Sequence, residues 1–154
     1  MKSIIKYLLL TIISLIGISC ADKDDPTQTF DSQRILECHN KQTWGLEATK
    51  NKIVGLWEWK HTEYIYAIPP DNASELKGMK VEFRDDLTGT LTYNEVAPLE
   101  FTWSIGTYNV YFGLSTEPTI TQLNGQVLFC DNIMLCGVAT GIADGVNNYF
   151  KKIQ

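Results

Sequence analysis

The feature that most constrains the fold is an alternation of apolar and polar residues with a period of two, which runs through residues 53 to 154. Met79, Val81 and Phe83 alternate with charged neighbours, and the same pattern fills residues 99 to 112. Such alternation is typical of strands that pack one face on a core and expose the other to water. The pattern therefore predicts antiparallel sheet structure.

Turn-forming residues divide this alternation into short strands. Four segments carry the glycine, proline, asparagine or aspartate that turns prefer. They are 69–72, 85–89, Asn124-Gly125 and Asp144-Gly145. Because Asn-Gly and Asp-Gly are hairpin signals, we expect hairpin strands at 119–123 and 126–130, and again at 138–142 and 146–153.

The strand count and spacing predict an all-β domain over residues 53–154. We count eight or nine strands there, which suggests a barrel or a sandwich. No segment between them is long enough for the crossover helix that parallel strands need. A closed sheet removes unpaired edges, so we expect an antiparallel meander that closes into a small eight-stranded barrel.

Residues 31–52 form a lead-in to this domain. Asp31 or Ser32 can cap a short helix over residues 33–39, since both side chains accept hydrogen bonds from the backbone of a first helical turn. Trp44 is expected to pack on the main domain.

Residues 1–19 predict an export signal. Lys2 and Lys6 precede an apolar run of 12 residues, 7–18, which is too short to cross about 30 Å of hydrocarbon. Small residues then lead into Cys20, and this arrangement resembles the lipobox of bacterial lipoproteins. The resemblance implies cleavage before Cys20 and a lipid on its thiol; the alternative is an ordinary signal peptide with a chance cysteine.

Residues 20–30 read as a flexible acidic tether. The stretch after Cys20 is polar and too poor in apolar residues to fold. It resembles the Lys/Asp export signal of surface lipoproteins of the Bacteroidetes. We therefore expect an outer-membrane protein held by lipid on Cys20, with the cell surface favoured and the periplasmic face as the alternative.

The charge balance excludes nucleic acid as a partner. The chain carries 13 basic and 18 acidic residues, and loss of Lys2 and Lys6 with the signal makes the mature protein more acidic. Without a cluster of lysine or arginine there is no electrostatic footprint for phosphates.

Three cysteines remain once Cys20 is acylated. An exported protein meets an oxidising compartment, so one disulfide and one free thiol are expected among Cys38, Cys130 and Cys136. On one extended strand Cys130 and Cys136 would lie about 20 Å apart, too far to bond. They could pair only across a turn near residues 131–132, so we favour Cys38 bonded to one of the two.

The start of the first strand carries a family resemblance. Gly55-x-Trp57 resembles the first signature of the lipocalins, in which the tryptophan closes the barrel base and the glycine lets the chain approach it. With residues 83–91, the Trp103 strand and residues 148–152, the chain looks like the small lipid-anchored, lipocalin-like lipoproteins of the Bacteroidetes. The resemblance implies a lipocalin-like barrel and marks Gly55 and Trp57 as its base; it maps no ligand-binding residue.

The sequence contains few residues that could form a catalytic site or bind a metal ion. The chain has two histidines, His39 and His61, without metal-ligand spacing around them, so we expect neither a metal site nor a cofactor. Acidic residues 58, 63, 82 and 100 are expected on outward faces, and the glycines of 137–145 lack the lysine of a phosphate loop. We expect no catalytic residues and no enzyme activity.

Two functional hypotheses follow. Trp57 and Trp59 share one strand face, so at least one of them faces the core, and the aromatic inward faces favour a barrel that binds a small, partly apolar ligand. The alternative is a surface module with a filled core, an inhibitor or accessory subunit that contacts a protein or glycan. Tyr111, with Tyr64 and Tyr66, is its candidate exposed patch.

Overall fold

The computed structural model describes residues 30–64, 76–137 and 145–154. These hold two short helices, α1 (Ser32–His39) and α2 (Leu46–Ile53), followed by eight strands. The strands are β1 (Gly55–Tyr64), β2 (Lys80–Phe83), β3 (Thr88–Tyr93), β4 (Val96–Tyr108), β5 (Tyr111–Glu117), β6 (Gly125–Cys130), β7 (Ile133–Gly137) and β8 (Val146–Lys152). The predicted signal, Cys20 and most of the tether lie outside the described residues.

The eight strands form one closed antiparallel barrel. Each strand pairs with the next, and β8 returns to β1 with Trp57 opposite Lys152 and Tyr64 opposite Val146. The first half of β4 pairs with β3 and its second half with β5, a stagger that closure of a tilted barrel requires. The prediction of an all-β, eight-stranded barrel is confirmed.

The barrel has two different ends, which we call the base and the rim. The base holds the start of β1, the end of β8 and the turns that follow β2, β4 and β6. The rim holds the end of β1, the start of β8, the 94–95 turn and the 118–124 connection. The last residue of α2, Ile53, is fully buried beside the start of β1, so α2 lies at the base.

Large apolar side chains fill the middle of the barrel. Five of the residues predicted to face inward, Met79, Val81, Phe83, Phe101 and Trp103, are buried there. Phe83 contacts Phe101 and Trp103 edge-on at ring-centroid distances of 5.6 Å. A Cβ atom at Gly89 would overlap the Phe101 ring. Gly89 therefore makes room for that ring, and glycine is the residue that permits such an approach.

Strands β6, β7 and β8 are buried on both faces. Their inner faces join the barrel core, and their outer faces form a second apolar cluster beneath α1. This outer cluster consists of Ile35, Leu128, Ile133, Leu135 and Tyr149, with Phe30, Leu36, Tyr111 and Cys130 packed around it. Burial on both sides explains why the sequence runs 127–130 and 133–136 are continuously apolar rather than alternating.

Both ends of α1 are fixed. At its start, Oδ1 of Asp31 accepts hydrogen bonds from the backbone N–H groups of Gln33 and Arg34, so Asp31 is the N-cap. Near its end, Cys38 is bonded to Cys130 of β6. The predicted helix over residues 33–39 is present and begins one residue earlier.

The prediction that the alternation continues without interruption to residue 112 was wrong. The alternation through residues 99 to 112 is interrupted by a turn at 109–110, which separates β4 from β5 and leaves Val110 86% exposed. Asn109 adopts a positive φ of 54° there. Asparagine tolerates this left-handed conformation, so the chain reverses without a glycine.

The predicted strand at 119–123 was also wrong. Those residues form a turn, with the backbone N–H of Leu123 donating to the carbonyl of Ile120 at 2.9 Å. Both side chains are buried because the turn inserts them into the core, not because they alternate. Asn124-Gly125 therefore ends a connection instead of forming a hairpin.

The remaining differences concern the lead-in and the gaps. α2 was not predicted, and its last turn reaches into the expected start of the barrel domain. The expected strand at 138–142, the 69–72 turn and Asp144 lie outside the described residues. The strand expected at 146–153 is β8.

Candidate functional site

Gly55 and Trp57 lie at the base, where the first and last strands meet. Gly55 has a φ of +130°, and a Cβ atom there would lie 2.5 Å from the backbone oxygen of Gln154. Trp57 is fully buried, and its indole N–H donates to the carbonyl of Ile53 at 2.6 Å. The motif thus joins the end of α2, the start of β1 and the C-terminal segment.

Lys152 is a base residue that sequence reasoning missed. Its Nζ lies 5.2 Å from the centroid of a Trp57 ring and donates to the carbonyls of Lys52 and Val54 at the end of α2. Burial, and then the neighbouring charge of Lys52, lower the pKa of the Lys152 ammonium. The sequence did not indicate this position, because it follows from the register that closes β8 onto β1 and sets Lys152 opposite Trp57.

His39 and Trp44 complete the base. The two rings stack at 4.9 Å with only 4° between their planes, and Trp44 also contacts Phe129 at 5.1 Å. His39 Nδ1 accepts the backbone N–H of Phe129, which lies just beyond the end of the β5–β6 ladder. Burial lowers the pKa of His39, so the neutral ring serves as this acceptor.

The rim half of the interior is different, because apolar side chains there face inward without being fully covered. Trp59, Leu91 and Tyr93 are half-buried and pack on the core, whereas Leu99, which is opposite Leu91, is 41% exposed. Tyr64 is half-buried at the end of β1. This partly open apolar surface is the candidate ligand site.

A chain of hydrogen bonds crosses the floor of this site. The Trp59 indole N–H donates to Thr62 Oγ1 at 3.0 Å, and the Thr62 hydroxyl donates to Asn148 Oδ1 at 2.7 Å. Thr62 is opposite Asn148 across the seam between β1 and β8, and both are buried. The chain supplies the polar element that an otherwise apolar site uses to orient a ligand.

The 118–124 connection covers one side of the rim. Asn124 Oδ1 accepts from both the backbone N–H and the hydroxyl of Thr116, and Thr116 Oγ1 accepts the N–H of Ile120. These bonds hold Ile120 and Leu123 in the core above β5 and β6. The half-exposed apolar surface consequently lies on the β1–β4 side.

The three cysteines within the described residues have distinct positions. Cys38 and Cys130 form a disulfide between α1 and β6, with their Cα atoms 5.4 Å apart. Cys136 is a free thiol that faces the barrel interior, and complete burial raises its pKa. A buried thiol of this kind is unreactive.

Potential metal ligands lie together at one place among the described residues. The only group of potential ligands found among them is Cys38, Cys130 and Asp131. Its two sulfur atoms are bonded to each other, so neither is a thiolate ligand. His39 lies at the base, whereas His61 is on the outer wall, stacked against Phe30 at 5.7 Å.

The acidic residues within the described ranges do not converge in a cleft. Arg84 bridges Glu82 and Glu100 on the outer surface of β2–β4. Glu63 lies on the outer wall, where its Oε2 accepts from the Tyr149 hydroxyl at 2.6 Å and from the Asn147 amide at 3.0 Å. These contacts fasten β1 to β8 from outside.

The expected tyrosine patch does not form as predicted. Tyr111 is half-buried in the outer cluster, edge-on to His39 at 5.9 Å beneath α1. Tyr64 belongs to the rim interior, and Tyr66 lies outside the described residues.

No family model, curated protein or solved structure matches this chain. Of the helices in the described ranges, neither is long and apolar enough to cross a membrane.

Proposed function

We propose that this protein is a lipid-anchored, lipocalin-like barrel that binds a small, partly apolar ligand in the rim half of its interior. The observation that carries the proposal is the contrast along the barrel axis. Trp57 and its neighbours at the base are fully buried, whereas Trp59, Leu91, Tyr93 and Leu99 present a partly open apolar surface toward the rim.

A ligand seated on this surface would complete its burial. Removing apolar surface from water stabilises a complex by about 25 cal/mol per Å², and a concave site gathers such area from several strands at once. The described inward-facing strand residues of the rim half are aromatic, aliphatic, cysteine, threonine or asparagine, so an apolar body with a small polar group is the complementary chemistry.

The anchor is a separate part of the proposal. The lipobox-like arrangement before Cys20 supports acylation of that residue, and several acyl chains give stable membrane attachment. We propose the outer membrane, with the cell surface favoured over the periplasmic face. Metabolic labelling with a palmitate analogue should mark the parent protein and not the Cys20→Ser variant; equal labelling of both would refute the anchor.

A matched pair of substitutions tests the ligand site. Leu99 and Val110 are both exposed apolar residues, but Leu99 is on the inner face near the rim and Val110 is at a base turn. We expect Leu99→Asp to weaken binding of an apolar fluorescent fatty-acyl probe about tenfold or more, since it places a charge on the apolar surface. Val110→Asp should bind the probe as the parent does.

A second candidate function is favoured by the exposed apolar residues at the base. Val110 and Leu87 are at the tips of two base turns, where they are 86% and 39% exposed. A surface module that contacts a protein or glycan with this end would lose its partner on Val110→Asp and keep it on Leu99→Asp. The same pair of variants therefore separates the two functions.

Native mass spectrometry of the protein released from its own membranes identifies the ligand. An added mass that is lost on denaturation supports the carrier and gives its chemical class. A bare mass from the parent, together with no probe binding, contradicts the ligand proposal.

A further inference from the structure

One buried amide in the rim half has an unused hydrogen-bond donor. Asn148 is 5% exposed, and its Oδ1 accepts the Thr62 hydroxyl proton. Within the described ranges, its Nδ2 group has no acceptor. This nitrogen is not one of the fully enclosed unpaired polar atoms, so it keeps contact with solvent and is available to a ligand that brings an acceptor.

The direction of the hydrogen-bond chain fixes which atom of Asn148 is left over. An indole N–H can only donate, so Thr62 Oγ1 must accept from Trp59. The single proton of the Thr62 hydroxyl then goes to Asn148 Oδ1. The amide oxygen is thereby committed to Thr62, and the nitrogen is the group that remains.

The position of Asn148 places this donor inside the barrel. Asn148 is opposite Cys136 on one side and Thr62 on the other, and residues on these ladder positions face inward with Phe150 and Met134. Asn148 therefore lies between the filled middle of the barrel and the half-exposed apolar surface of the rim.

The described strand residues around Asn148 carry no compensating positive charge in the barrel interior. Within the described part of the chain, no lysine, arginine or histidine occurs among the strand residues that face the interior of the rim half. A buried carboxylate would thus be left without an ion-pair partner, which is strongly unfavourable. A neutral oxygen acceptor avoids that cost.

We propose that Asn148 is the specificity-determining residue of the ligand site and that the ligand is an apolar molecule with a neutral carbonyl, as in an ester, amide or ketone. The Asn148 Nδ2 group donates to that carbonyl oxygen, and Thr62 and Trp59 hold the amide in the required orientation. This inference rests on the proposed ligand function and adds its chemical class.

The test uses two probes that differ only in the group concerned. They are 11-(dansylamino)undecanoic acid, which is ionised at neutral pH, and its methyl ester. The protein is the full mature chain carrying Cys20→Ser, and binding is followed by energy transfer from tryptophan to dansyl. We expect the ester to bind at least about tenfold more tightly than the acid.

Two variants at position 148 and one neighbour identify the donor. Asn148→Leu removes it and should weaken ester binding about five- to tenfold, the worth of one neutral hydrogen bond. Asn148→Asp retains the acceptor for Thr62 and, at a pH at which its carboxyl group is ionised and cannot donate, should weaken ester binding at least as much. Asn147→Leu, on the outer face, is the matched control and should leave the ratio of ester to acid affinity unchanged; thermal unfolding verifies that each variant is folded.

The outcomes distinguish failure of this inference from failure of the proposed ligand-binding function. Equal affinity for acid and ester, or parent-like ester binding by both folded variants at position 148, overturns the role of Asn148 while leaving an apolar ligand site in place. Failure of the parent to bind either probe overturns the ligand function itself and this inference with it.

Discussion

At the residue scale, Gly55 shows how close contacts shape the base of the barrel. Its backbone occupies the left-handed region that favours glycine, and the carbonyl of Gln154 and the Lys152 side chain converge on the space where a side chain would lie. The glycine of the Gly55-x-Trp57 motif is therefore required by geometry that involves the far end of the chain.

This geometry predicts a large effect of a single methyl group. We expect Gly55→Ala to lower the free energy of unfolding by about 2 kcal/mol or more, because it adds backbone strain to a steric clash with the carbonyl of Gln154. Gly106→Ala is the control, since a Cβ atom there meets no atom within 4 Å. Urea unfolding of both variants measures the difference, and equal stabilities would contradict the argument.

At the element scale, α1 and β6 are joined by His39 as well as by packing. The Nδ1 atom of His39 accepts the N–H of Phe129 at 3.0 Å, which satisfies a strand group that β5 is too short to reach. Protonation of Nδ1 would abolish this bond. The contact between helix and strand therefore depends on the neutral form of the ring.

This dependence predicts a pH effect of defined sign. Burial lowers the pKa of His39 in the folded protein below the ordinary value of about 6.5. The unfolded chain thus takes up the proton first, so the stabilisation is complete above about pH 6.5 and declines as the pH falls from there toward the folded pKa.

Urea unfolding at pH 7.5 and pH 5.5 measures this decline. The control is His39→Asn, whose side-chain oxygen can accept the same N–H without titrating in this range. The parent should lose more stability than the variant between the two pH values. An equal loss in both proteins would show that His39 does not contribute.

How well the sequence predicts a strand depends on how many of the strand's faces are buried. Residues 79–83 and 99–105 alternate because only one of their faces is buried, so the pattern identifies the inward side chains correctly. β6–β8 are covered on both faces, and nothing in their apolar runs indicates that α1 is the cover. The segment that contains Ile120 and Leu123 was predicted to be a strand, but a turn buries both side chains.

The candidate site was less predictable than the fold for a related reason. Trp59 was predicted to share a face with Trp57, but the partnership of Thr62 with Asn148 joins residues 86 positions apart. Such a pair follows only from the register that closes β8 onto β1. The partly open rim surface likewise depends on which connection covers which strands.

At the scale of the whole molecule, both ends of the described chain are tied to the barrel. The C-terminal strand closes against β1, and the N-terminal helix is bonded to β6 across a sequence separation of 92 residues. The disulfide therefore constrains most of the folded domain rather than one local loop.

A cross-link of this span predicts a large effect on the unfolded state. Loop entropy for about 90 residues corresponds to roughly 4–5 kcal/mol, and removal of native disulfides typically costs about 2–5 kcal/mol. We expect the double variant Cys38→Ala/Cys130→Ala to lose stability in that range, because its unfolded chain regains conformational freedom. Urea unfolding should show a lower midpoint, while the packing of α1 on the apolar outer cluster keeps the folded barrel intact.

Reduction provides the matched control for this prediction. A dithiol reductant should lower the stability of the parent to near that of the double variant and leave the variant unchanged, since the cysteine that remains in the described part of the chain, Cys136, is buried and unbonded. If the oxidised parent and the double variant unfolded at the same urea concentration, the disulfide would be strained enough in the folded state to cancel its entropic benefit. α1 would then be held on the barrel by its apolar contacts and His39 alone.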